Sequence, residues 1–210
     1  MNVLPQQAKA LGMRLQFRSA VGIIIPLWLA YTVLNTLYPS DALAAVLGFI
    51  PGVLGIGSLF AAGLTSKECY LRVAPISRVG LALLAVLSFI EPLILLSGHW
   101  TGWNWISALV YAPAGGISQE LFFRAALLPV LMGMFKKRSL LAVSLHSVLF
   151  ALWHVRVFME APLGGAIGVM IVTFLGGMVW GWQVQRDGTV VYAMAHHTLL
   201  LIVQSMFAWG

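Results

Sequence analysis

Seven ionisable side chains lie within long apolar runs of this sequence, where such groups are costly and by default mark function. Among them, Glu120 and Arg124 are spaced i, i+4, so they share one face of a helix and can pair there. Two interpretations stay open for this pair: a buried ion pair that only holds helices together, or a carboxylate held in place for chemistry. The other five residues are Glu91, His146, His154, His196 and His197.

His154 is predicted to lie at the same membrane depth as Glu120. Both are roughly 22–24 Å from the basic cluster at Lys136 to Arg138, at about 1.5 Å of helix per residue. A short turn joins the two helices, which are therefore antiparallel neighbours, so the carboxylate and the imidazole can face each other. Such a pair could act as a general base on a water in a cavity of low dielectric constant.

His196 and His197 lie roughly 12–15 Å from the same end of the bundle, about 10 Å shallower than Glu120. Either the turn at residues 186–188 is recessed into the membrane, or the last helix is strongly tilted. Adjacent helical residues point about 100° apart, so we expect only one of the two histidines to face the cavity. Gln119 points away from Glu120 by the same angle, but could add a hydrogen bond to the same cavity.

The composition identifies the solvent around the helices as lipid. Of 210 residues, 60% are hydrophobic and 9% are charged, and the mean hydropathy is +0.94. A soluble domain carries about 25% charged residues, so a water-soluble fold of this size could not bury this much apolar surface. The net charge of +6 does not indicate a nucleic-acid partner, because the basic residues lie between apolar runs. The single cysteine, Cys69, excludes an internal disulfide and a cysteine-based metal site.

The apolar runs predict an all-α fold, a polytopic transmembrane bundle with seven crossings in one integral-membrane domain, residues 1–210. One run is interrupted at Pro113 to Gly116, which predicts a short helix, a break and a full helix, or about eight helices in total. The predicted crossings are about Phe17 to Tyr38, Ala42 to Leu64, Val79 to Ser97, Asn104 to Phe135, Ser139 to Phe158, Pro162 to Val184 and Thr189 to Trp209.

The basic residues predict the orientation. If the amino terminus is cytoplasmic and the crossings alternate, ten of the twelve Lys and Arg residues fall on the cytoplasmic side. The first apolar stretch, Ser19 to Tyr38, is longer than a signal-peptide core of about 7–15 residues, so we expect an uncleaved first span. The expected location is the inner (plasma) membrane of a bacterium.

Three short motifs on separate predicted spans resemble the CAAX-processing and bacteriocin-processing intramembrane glutamic proteases, also called the Abi family. That family carries Glu-Glu-x-x-x-Arg, Phe-x-x-x-His and His-x-x-x-Asn. The resemblance extends over about residues 80–205. The corresponding segments are Gln119-Glu120-Leu-Phe-Phe-Arg124, Phe150-Ala-Leu-Trp-His154 and His196-His197-Thr-Leu-Leu200.

The resemblance implies an intramembrane endopeptidase without metal or other cofactor, acting on a membrane-associated protein or peptide. It implies catalytic roles for Glu120 and His154, which activate water, and for His196, which stabilises the oxyanion. Gln119, Arg124 and His197 would support them, Arg124 by holding Glu120. The chain departs from the family motif at two positions. Gln119 stands where the family has the Glu usually assigned as the catalytic base, for which Glu91 could substitute. Leu200 stands where the family has an Asn, an oxyanion donor that His197 or Gln204 could replace.

Other functions stay open. A family member without catalytic activity, such as an immunity or scaffold protein, would accommodate Gln119 and Leu200. A zinc protease could use Glu120, His154 and His196 or His197, although the helical motif His-Glu-x-x-His is absent. A transporter would fit the interrupted run at Pro113, although no inverted repeat is visible.

Overall fold

A computed structural model describes residues 4–37, 47–90, 99–135 and 138–208. Apart from two strands of two residues each, the described elements are helices. In chain order they are α1 (Leu4–Leu37), α2 (Phe49–Ala61), α3 (Arg78–Ile90), β1 (His99–Trp100), α4 (Ser107–Phe135), α5 (Ser139–Trp153), α6 (Val157–Glu160), α7 (Leu163–Asp187), α8 (Val191–Gln204) and β2 (Phe207–Ala208).

The described helices confirm an all-α protein with membrane-spanning segments. Four are long and apolar enough to cross a bilayer, namely Arg18–Leu37, Ser107–Phe135, Ser139–Glu160 and Leu163–Asp187. Helices α2, α3 and α8 are apolar but shorter, so the count of seven crossings stays a prediction. Glu91 and the basic residues Lys136 and Lys137 lie outside the described residues.

The two ends of the bundle are distinguished by the connecting segments that contact each other there. At one end, which we call the loop end, the segment 65–77 covers the turn 188–190, where the Val190 N–H donates to the Tyr70 carbonyl at 3.0 Å. Thr189 and Val190 are buried there. At the opposite end, the ribbon end, β1 pairs antiparallel with β2. The turn before the last helix is therefore covered by protein, while its depth in the membrane stays a prediction.

The predicted break at Pro113 to Gly116 is wrong, because α4 is one continuous helix. Its hydrogen bonding alternates between π-helical stretches (Ser107–Tyr111 and Leu121–Leu127) and α-helical stretches (Ala112–Glu120 and Leu128–Phe135). Pro113 lies in the first turn after a π-helical stretch, where its missing N–H is tolerated. Gly116 serves packing instead, since an added Cβ would lie 2.9 Å from the Cα of Thr198 on α8.

Glycines also allow close contact between two other helix pairs, α2 with α4 and α7 with α5. An added Cβ at Gly55 of α2 would lie 2.8 Å from the Cβ of Ala126. On α7, a Cβ at Gly177 would lie 3.1 Å from the Cα of Ser147 on α5. Close approach through glycine is the usual packing mode between helices in lipid, where association is driven by van der Waals contact. Helices α5, α7 and α8 are thereby held around the polar segment of α4.

Candidate active site

Glu120 and Arg124 form a fully buried ion pair on α4, at the junction between its α-helical and π-helical stretches. Arg124 Nη1 lies 2.9 Å from Glu120 Oε1, which confirms the pairing predicted from their spacing. The Arg124 guanidinium also lies over the Phe150 ring, with Cζ 4.2 Å from the centroid. It lies 5.1 Å from the Trp180 ring centroid, so aromatic faces surround the cation where water is excluded.

His197 is the histidine that contacts Glu120. Its Nδ1 lies 2.8 Å from the same oxygen, Oε1, that faces Arg124. An ionised carboxylate can only accept, so Nδ1 carries the proton and, in the neutral ring, Nε2 has a free lone pair. The indole of Trp180 stacks on the His197 ring, with centroids 4.6 Å apart and planes 23° apart. The imidazole is therefore held by a carboxylate at one edge and by an aromatic ring on one face.

His154 follows the last residue of α5, and its own helix fixes its tautomer. Its Nδ1 lies 2.9 Å from the Phe150 carbonyl oxygen, which accepts, so Nδ1 carries the proton. The Phe150 ring centroid lies 4.9 Å from that of His154 and 6.0 Å from that of His197. Both histidines line one cavity of about 300 Å³, which we call the histidine cavity; its wall also includes Gln204. His154 thus lies near the Glu120–Arg124 ion pair, but His197, not His154, contacts Glu120.

His196 points away from Glu120, on a different face of α8. The indole N–H of Trp180 donates to His196 Nδ1 at 3.1 Å, so Nδ1 is unprotonated. Nε2 then carries the proton and donates to Ser88 Oγ at 2.8 Å. The expectation that only one histidine faces the cavity agrees with this arrangement, but the structure brings His197 rather than His196 to the carboxylate. The angle of about 100° between adjacent helical residues does not predict which histidine faces Glu120. The packing of α8 against α3 and α7 determines it.

Gln119 does not share the histidine cavity, contrary to the expectation from sequence. It lines a separate cavity of about 390 Å³ toward the ribbon end, which we call the glutamine chamber. Leu201 lines both cavities and is part of the wall that they share. Leu200 and Gln204 line the histidine cavity.

Residues 101–203 match a family model described as Type II CAAX prenyl endopeptidase, Rce1-like. Over this segment, 103 of the 210 residues, the chain is similar to the Rce1-like CAAX endopeptidases. The match agrees with the family that the three motifs resemble. No curated protein and no solved structure gives a significant match to the chain.

The matched segment contains the six residues predicted to be catalytic or supporting, whereas Glu91 and Gln204 lie outside it. It begins before α4 and ends within α8, so both cavities are built mainly from family elements. The sequence motifs assign no role to Trp180. The signal available for it was an indole close to three glycines, Gly176, Gly177 and Gly181.

Among the described residues, no group of three or more His, Cys, Asp or Glu side chains is arranged to hold a metal ion. A zinc centre at Glu120 would need a third ligand near the Glu120–His197 contact. His196 is turned toward Ser88 and Trp180 instead. Of the residues named in the zinc alternative, His196 is therefore not placed to join Glu120.

Proposed function

We propose that this chain is an intramembrane endopeptidase that hydrolyses a peptide bond of a membrane-associated protein or peptide, with a water activated in the histidine cavity. The observation that carries the proposal is the buried contact between Glu120 and His197 beside a cavity that also presents His154. A carboxylate behind an imidazole fixes its tautomer and stabilises the imidazolium that forms when it takes a proton. The similarity of residues 101–203 to a CAAX endopeptidase family supports the same reaction class.

In the proposed mechanism, the Nε2 atom of His197 takes a proton from water while the water oxygen attacks the carbonyl carbon. Glu120 stabilises the imidazolium, and Arg124 is a positioning residue that holds Glu120. The Nε2 of His154 accepts the second hydrogen of the water and orients it. The Gln204 amide donates to the oxyanion, a role the family assigns to the missing asparagine. Collapse of the tetrahedral intermediate breaks the C–N bond, and His197 returns its proton to the leaving amine.

A comparison of membrane proteomes tests this proposal. Cells would produce the wild type, Glu120→Gln, His154→Gln or the control Glu68→Gln, which changes an exposed carboxylate in the segment 65–77. The expected result is a precursor that is shortened by the wild type and the control, and that accumulates in full length with the two site variants.

The main competing function is that of a family member without catalytic activity. Its best support is that Gln119 and Leu200 replace the family's glutamate and asparagine. If the proteome is the same with all four proteins, each folded and present at equal level, the non-catalytic function is favoured and the hydrolytic proposal is refuted.

A further inference from the structure

Two residues that line the glutamine chamber each carry a buried polar atom, one an acceptor and one a donor, that has no hydrogen-bond partner among the described residues. The acceptor is Oε1 of Gln119, a residue that is 9% exposed, and the donor is Nε1 of Trp153, which is 6% exposed. Both residues line the chamber. Buried polar groups without partners are rare in native proteins, because each one loses its hydration without replacement.

Three other polar side chains of the chamber already donate hydrogen bonds to backbone carbonyls. Asn35 Nδ2 donates to the Trp153 carbonyl, Ser118 Oγ to Gly115, and Ser205 Oγ to Ile202. None of the described residues that line the chamber is charged. A carboxylate or phosphate ligand would therefore have no counter-charge there, and an acyl chain would leave both orphan groups unpaired. The chemistry favours a neutral ligand with one N–H and one carbonyl oxygen.

We propose that the glutamine chamber binds a peptide group of the substrate, whose N–H donates to Gln119 Oε1 and whose carbonyl oxygen accepts from Trp153 Nε1. Leu201 also lines the histidine cavity, so a chain seated in the chamber lies next to the site of hydrolysis. Gln119 is then a positioning residue for substrate rather than a base. This inference rests on the proposed function, since it names how the same substrate is held beside the reacting bond.

Cysteine protection can measure occupancy of the chamber without any cleavage. Ser107 lines the chamber, and Ser107→Cys gives a thiol whose alkylation by N-ethylmaleimide a bound ligand would slow. Ser66→Cys, in the exposed segment 65–77, is the control that a chamber ligand should not protect. The native Cys69 gives a low background, because burial and, secondarily, the nearby Glu68 charge raise the pKa of its thiol to about 11.

The probes are capped trialanine and its depsipeptide counterpart, in which ester oxygens replace the peptide N–H groups. We expect the amide to protect Ser107→Cys at concentrations roughly threefold to tenfold lower than the ester, as one neutral hydrogen bond provides. In the Gln119→Leu background the two probes should protect equally, at the weaker level. Trp153→Phe should weaken protection by both probes, since both retain the carbonyl.

Equal protection by amide and ester with Gln119 present, or unchanged protection after Gln119→Leu, would overturn the inference. Protection by detergent or lipid alone would also overturn it, since the chamber would then be a lipid site. Cleavage measured on the same samples separates the two proposals. Amide-selective protection without cleavage would refute only the proposed hydrolytic function, and cleavage without amide-selective protection would refute only the peptide site.

Discussion

Substituting the two adjacent histidines of α8 separately tests whether the orientation of this helix determines the chemistry. His196→Gln and His197→Gln are the same change at neighbouring positions, so each controls for the other. We expect His197→Gln to lower kcat/KM by about 10²–10⁴, the usual contribution of a positioned general base. We expect His196→Gln to retain activity within about threefold per folded molecule, because both of its ring nitrogens are engaged outside the histidine cavity.

The stability changes follow from the contacts. His196 makes two hydrogen bonds, at 3.1 Å from Trp180 and at 2.8 Å to Ser88. At about 0.5–1.5 kcal/mol each, their loss should lower the free energy of unfolding by roughly 1–3 kcal/mol, less whatever glutamine recovers. Ser88 keeps a partner, since its Oγ also donates to the Leu84 carbonyl. His196→Gln is thus expected to affect stability far more than catalysis.

The assay uses the precursor found in the proteome comparison, purified in detergent with each variant. Cleavage is followed on gels, and thermal unfolding by tryptophan fluorescence reports the folded fraction. Loss of cleavage in His196→Gln at an unchanged unfolding midpoint would refute the assignment of roles to the two histidines. Full activity in His197→Gln would refute it equally, because the base would then lie elsewhere.

Three further predictions concern the core, the helix packing and the loop end. Arg124→Met removes the counter-charge of the buried Glu120 side chain and leaves it only the contact with His197, so it should lower the free energy of unfolding by about 3–5 kcal/mol. Adding Glu120→Gln should restore part of this loss. Gly116→Ala forces α4 and α8 apart and should lower the free energy of unfolding by about 1–3 kcal/mol. Gly57→Ala is the control, because an added Cβ there meets open space, and the thermal unfolding midpoints of the two variants should differ accordingly. Above pH 9 the unfolded chain releases the Cys69 proton while the folded protein retains it, so the free energy of unfolding should fall, by up to about 1.4 kcal/mol at pH 10. Cys69→Ala should remove this pH-dependent loss of stability.

The Glu120–Arg124 pair could be predicted from the sequence because its geometry is local. Residues four apart on a helix are neighbours whatever surrounds them, and the structure gives them a 2.9 Å contact. The choice between His196 and His197 could not be predicted in this way. It depends on the rotation of α8 about its axis, which is set by packing against Ser88 and Trp180 from distant parts of the chain.

The Pro113 to Gly116 segment was misjudged because proline and glycine have two structural uses. Read locally, they favour a break in a helix. In the structure, π-helical hydrogen bonding precedes Pro113, and Gly116 allows the backbone of α8 to approach α4. This second use is visible only when the partner helix is known, so tertiary contact overrides the local preference.

The position of Gln119 changes what its substitution means for activity. From the motif alone, glutamine in place of the family's glutamate removes a base from the site. In the structure Gln119 lines the glutamine chamber, whereas Glu120 contacts His197, which lines the histidine cavity, so the substitution leaves the Glu120–His197 contact intact. A glutamate at position 119 would place a carboxylate in a chamber that no charged described residue lines. A neutral amide suits that chamber better. The neighbouring residues Gln119 and Glu120 can therefore serve two compatible functions, binding of a neutral peptide group in the chamber and hydrolysis in the adjacent cavity.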